Sequence, residues 1–145
     1  MLLSSVLAIF TLVAAPAAAH FELTKPAPRG FNELIMDKAP CGGFDTPLKK
    51  RVCFGPKSVL SIAMADTGAS MTVKLGSGSN PRSFPFLMSN YRFTKEGNYN
   101  LPAKFANLPK TFTNNSLATI QLALNSEHGV CSYLTVLAEA KLYNQ

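Results

Sequence analysis

Residues 117–124 read LATIQLAL and residues 131–138 read CSYLTVLA. These two apolar, β-branched runs are the most strand-like stretches of the chain, and they decide the fold class. The same grammar repeats outward from them. Residues 58–64 (SVLSIAM) and 70–75 (SMTVKL) read as strands. The turn cluster GSGSNP at 76–81 separates them from a short strand at 84–87, and a loop carrying Asn98 and Pro102 follows. Residues 20–31 are extended and loop-like, with Pro26, Pro28 and Gly30, and APCGGF at 39–44 is a turn signal. No stretch combines helix caps with a sustained 3.6 period, and only residues 31–38 have room for a turn or two. Short strands between Gly, Pro, Asn and Ser turns predict an all-β antiparallel sandwich. There is no repeat and no low-complexity linker, so one domain is expected over residues 20–145.

The first nineteen residues are read apart from that domain. Residues 2–19 are apolar, with a core at 6–13, a break at Pro16 and small residues at Ala17, Ala18 and Ala19. This is the pattern of a secretory signal peptide with an A-x-A cleavage site. The run is slightly short for a membrane span, which takes about 20 apolar residues. No second span follows, and the chain ends AEAKLYNQ, without the apolar tail that a lipid anchor signal requires. The expectation is cleavage after Ala19 and a soluble extracellular monomer.

The chain has 145 residues, with 14 Lys and Arg against 8 Asp and Glu, a net charge of +6. None of that charge lies in residues 1–19. The basic residues are scattered except for Lys49, Lys50 and Arg51. That cluster reads as a solvated loop, or as a patch that steers the protein towards an anionic surface such as a cell wall or lipid headgroups. Zinc-finger spacing, a recognition helix and basic stripes interleaved with aromatics are all missing, which speaks against nucleic-acid binding. There is no Ser/His/Asp set, no phosphate-binding glycine loop and no paired carboxylates at glycosidase spacing. With two histidines in the whole chain, hydrolytic mechanisms have little to work with.

Cleavage after Ala19 would make His20 the first residue. A histidine with a free amine offers two nitrogens, the α-amine and the ring Nδ1, which close a small chelate ring on a metal. Their ordinary pKa values, about 7.7 and 6.5, let both lose their protons near neutral pH. Nitrogen and oxygen ligands in tetragonal geometry favour Cu(II). Three cysteines are present, Cys41, Cys53 and Cys131. Secretion favours disulfides, and an odd count leaves one thiol over. A Cys41–Cys131 bridge would close a long loop and stabilise by up to about 4–5 kcal/mol in the chain-entropy model, but the residues alone do not choose the pair. Asn114-Asn115-Ser116 is an N-glycosylation sequon ahead of a strand.

The start HFELTKPAPRGFNE at 20–33, followed by PCGGF at 40–44, resembles the fungal BIM-type copper acquisition factors, which are similar in fold to lytic polysaccharide monooxygenases. The resemblance continues through VKLGSGSNP at 73–81, NLP at 100–102, ATIQ at 118–121 and Cys131, and so covers nearly all of residues 20–145. It implies an immunoglobulin-like β-sandwich with copper at one flat end. It also implies copper capture for uptake at the fungal surface, often through a lipid anchor, rather than oxidative cleavage of polysaccharide. In the family, copper is held by the amine and ring of the first histidine, by a second histidine and by an aspartate. His20 matches the first ligand. The second histidine is expected near Met64, Ala65 and Asp66, where none stands. The aspartate is expected in the loop after ATIQ, where Glu127 is the nearest carboxylate and His128 stands beside it. Two family cysteines are also missing, and Asn100 stands where the first would be. The resemblance thus implies a Cys41–Cys131 bridge and leaves Cys53 as a lone thiol.

Two versions of the copper site follow. In one, His20 supplies two nitrogens, Glu127 or His128 a third ligand, and Asp66 or Met64 a fourth. Cu(I) would accept the Met64 thioether, and Cu(II) would prefer Asp66 or His128. In the other, copper is held weakly by His20 alone. Each residue also has a plainer role: Met64 as core at a strand end, Asp66 in Asp-Thr-Gly turn chemistry, Glu127 and His128 as solvated loop residues. Arg29 is expected to orient the N-terminal loop through a carboxylate. The leading expectation is a copper carrier that serves a surface transporter, with cell-wall polysaccharide as a further partner. The rivals are a copper-dependent oxidase of chitin or glucan and a metal-free wall protein on the same scaffold. The oxidase would want a second histidine and a row of aromatics, and with no Trp, the tyrosines 91, 99, 133 and 143 form no obvious row.

Overall fold

A computed structural model describes residues 21–38, 42–104, 112–126 and 134–142. Its eight strands are β1 (Phe21–Lys25), β2 (Val52–Phe54), β3 (Val59–Met64), β4 (Ala69–Ser77), β5 (Phe86–Phe93), β6 (Gly97–Pro102), β7 (Leu117–Ser126) and β8 (Leu134–Leu142). They form a three-stranded sheet in the order β1-β3-β6 and a five-stranded sheet in the order β2-β8-β7-β4-β5. All pairs are antiparallel except β2 with β8. This is the all-β sandwich that the strand pattern predicts. Among the described residues the only helical element is one 3-10 turn, Glu33–Ile35, with the Asn32 side chain accepting from the Leu34 N–H at 3.0 Å. No described helix is long and apolar enough to cross a membrane.

Alternation builds the core. Successive side chains of a strand point to opposite faces. In β3, Leu60, Ile62 and Met64 are buried while Val59 is exposed. In β4, Met71, Val73 and Leu75 are buried, and in β7, Ile120, Leu122 and Leu124. These rows meet Phe21 and Leu23 of β1 in one apolar cluster between the sheets. Burying each such side chain is worth about 1.5–3 kcal/mol. A one-residue slip in any strand would turn its apolar row to solvent, which fixes the register.

Four details depart from the sequence reading. Residues 97–102, expected as loop, form β6 and pair with β3 from Met64↔Gly97 to Val59↔Pro102. Asn98 and Asn100 take the outer face while Leu101 is buried, and Pro102 is tolerated because β6 is an edge strand. The strand expected at 84–87 begins at Phe86 and runs on to Phe93. Phe84 and Pro81 instead pack onto Gly76, where an added Cβ would lie 2.6 Å from Pro81 Cγ and 2.9 Å from Phe84 Cδ1. Within the expected N-terminal loop, Phe21–Lys25 is a true strand, because Phe21 and Leu23 bury themselves against β3. Finally, the short β2 was not foreseen. Its three residues carry too little pattern to read, and only β8 gives them a partner.

Candidate metal centre

The strand register defines the two ends of the sandwich. Phe21 opens β1 opposite Met64, which closes β3, and Met64 in turn faces Gly97, which opens β6. In the other sheet, Ala69 opens β4 opposite Phe93 of β5 and Ser126 of β7, which both close their strands. The four residues 65–68 join β3 to β4 across the sheets, so both sets of strand ends lie at one end of the molecule. The edge-to-face pair of Phe93 and Tyr99, with centroids 4.8 Å apart, packs the β5–β6 connection at that same end.

Two of the candidate donors, Asp66 and Met64, stand at this end. Asp66 sits in the 65–68 connection, half-buried, with its Oδ2 shielded from solvent. Met64 is 3% exposed and belongs to the core cluster, because the alternation of β3 turns it inward beside Phe21. His20, Glu127 and His128 lie outside the described residues. In the sequence His20 precedes Phe21, and Glu127 and His128 follow Ser126. Register thus gathers the neighbours of His20, Asp66 and Glu127 from three parts of the sequence. Among the described residues, no group of three or more His, Cys, Asp and Glu side chains is placed to hold a metal ion.

Other candidates stand elsewhere. Cys53 is a free, exposed cysteine on β2 and pairs in register with Lys141 near the far end of β8. Asn114 is exposed in the turn before β7, also at the far end. Cys41 and Cys131 lie outside the described residues. Arg29, 8% exposed, donates from its two terminal nitrogens to Asn80 Oδ1 and to the Ser79 carbonyl, each at 3.0 Å. It therefore fastens the segment after β1 to the β4–β5 loop. The sequence carried no signal for that pairing, since the partners are an amide and a main-chain oxygen far along the chain. Tyr91 and Tyr99 are half-buried, and their hydroxyls donate to the Pro102 and Lys95 carbonyls. Phe31 is the one exposed aromatic ring among the described residues.

The strand register of this β-sandwich brings Phe21, residues 65–68 and Ser126, the sequence neighbours of His20, Asp66 and Glu127, to one end. The sequence model of the copper acquisition factor BIM1-like domain matches residues 18–144, and the chain belongs to that family. No curated protein matches the sequence.

Proposed function

We infer that membership of this family gives the protein a role in copper acquisition. We propose that it does so as a secreted copper-capture protein whose mature chain begins at His20 after loss of residues 1–19. Copper is its cargo. The amine and ring Nδ1 of His20 form the chelate, Asp66 approaches from the β3–β4 connection, and Glu127 or His128 completes the set from the segment after β7. The observation that carries this reading is the convergence of Phe21, residues 65–68 and Ser126 at one end of the sandwich. A carboxylate near the metal with no second histidine at the β3 end suits loading and release better than oxygen activation. It therefore favours a carrier that hands copper on at the cell surface over an oxidase. We further assign a Cys41–Cys131 disulfide and a glycan on Asn114, which is exposed at the far end from the metal.

The test is copper titration of protein purified from a secreting host, with intact mass to fix the first residue and Cu(II) EPR to count nitrogens. We expect a chain starting at His20 that binds one copper at submicromolar affinity. His20→Ala keeps the α-amine but removes the ring nitrogen and with it the chelate, so the imidazole nitrogen should disappear from the EPR signal and affinity should fall. Asp66→Asn should weaken binding roughly tenfold or more, about 1.4 kcal/mol. A chain that starts at His20 but binds no better than a short histidine-led peptide refutes the proposal.

A further inference from the structure

The far end of the sandwich, opposite Met64 and Asp66, combines positive charge with exposed apolar side chains. Arg51 donates to the Ala118 carbonyl at 3.3 Å, which pins the run Leu48-Lys49-Lys50-Arg51 beside the start of β7. There Leu117 is 43% exposed and pairs in register with Lys141, itself exposed. Leu48, Lys49 and Lys50 are exposed as well. The tertiary structure thus joins the isolated basic run and its neighbour Leu48 to a third lysine, Lys141, and to Leu117 from other parts of the chain. Val59, which opens β3, and Leu87, the second residue of β5, are exposed at the same pole.

We propose that this pole docks on a lipid bilayer carrying anionic headgroups. Charge complementarity selects the partner. A second copy of the chain would bring lysine against lysine. A soluble anionic polymer would meet the lysines but leave Leu48 and Leu117 in water. The headgroup region of a membrane accepts both, with apolar side chains entering the acyl boundary and basic groups staying among the phosphates. β7 has ten residues and runs from Leu117 at this pole to Ser126 at the metal end. At about 3.3 Å per residue the docked protein holds its metal end roughly 30 Å above the surface. This docking is independent of the copper proposal, because its readout needs no metal.

The experiment is co-sedimentation of the purified protein with phosphatidylcholine vesicles and with phosphatidylcholine–phosphatidylserine vesicles at low and high salt. Binding is expected to the anionic vesicles alone and to weaken with salt. Lys49→Gln with Lys50→Gln should lose about thirtyfold in affinity, from ~1 kcal/mol per basic side chain near an anionic surface. Leu48→Ser with Leu117→Ser should also weaken binding. Arg92→Gln with Lys95→Gln removes the same charge at the metal end and should leave binding within a few-fold. An equal loss in that control variant means net charge rather than the patch, and overturns the proposal. So does unchanged binding in the lysine pair or in the leucine pair. Capture by a soluble anionic polysaccharide without vesicle binding also overturns it.

Discussion

Replacing Met64 separates packing from metal chemistry at the candidate site. Met64 is 3% exposed, faces the core from the last position of β3, and lies between Phe21 and Gly97 in the sheet. If its thioether serves the core, Met64→Leu conserves volume and shape class and should cost less than about 1.5 kcal/mol. Met64→Ala leaves a cavity, and buried Met-to-Ala changes cost about 2–5 kcal/mol. The site is at the end of the core, where neighbours can partly collapse, so a value near 3 kcal/mol is expected. In a domain of this size that lowers Tm by roughly 10 °C. The assay pairs thermal unfolding of the metal-free protein with Cu(I) and Cu(II) competition titrations of each variant. The expected result is a Met64→Leu protein close to the parent in both Tm and copper affinity. A Met64→Leu protein with unchanged Tm but Cu(I) affinity reduced more than tenfold would refute the packing argument and make the thioether a ligand.

Three further outcomes follow from the same structure. Arg29→Ala removes two charge-assisted hydrogen bonds to Ser79 and Asn80 and should cost about 2–3 kcal/mol in urea unfolding. Arg29→Lys should recover little of this, because an ammonium cannot span both acceptors as a guanidinium fork does. Gly43 has φ +80°, and a Cβ there would lie 2.5 Å from Ile35 Cδ1. Gly43→Ala should therefore lower stability by at least ~1–2 kcal/mol in the same assay. Copper affinity should fall as pH drops through the range of about 7.7 to 6.5, where protons compete for the amine and imidazole of His20. An affinity flat from pH 8 to about pH 5.5 would show that the His20 nitrogens are not ligands.

Parts of the chain were legible because their signals are local. The β3, β4 and β7 runs alternate over six or more residues, and their inward rows are the core. Where a strand is short or polar the local signal fails. In β6, Asn98, Asn100 and Pro102 look like loop, yet Leu101 and the edge of β3 make a strand of them. In β2, three residues become a strand only because β8 lies alongside. The candidate site divides in the same way. His20 stood out through the cleavage pattern before it, and Asp66 through its place in the chain. Phe21, the residue after His20, and Asp66 could not be assigned to a common end without knowing the register of β1 on β3 and of β4 on β7.

The amino-acid sequence alone determined the all-β class and the family, and it carries the expectation of a leader ahead of the domain with a histidine after it. Each of these is written in consecutive residues, as a two-residue period, an apolar run with small residues behind it, or an ordered set of short motifs. Tertiary structure decided which strand ends share a pole. It turned Met64 into the core and set Asp66 between the two sheets. It placed Leu117 and Lys141 beside the run at 48–51, at the pole opposite Met64 and Asp66. The physical reason is that strand pairing is a contact between distant segments. Its register is chosen by burying several apolar rows at once, and no single row carries that information.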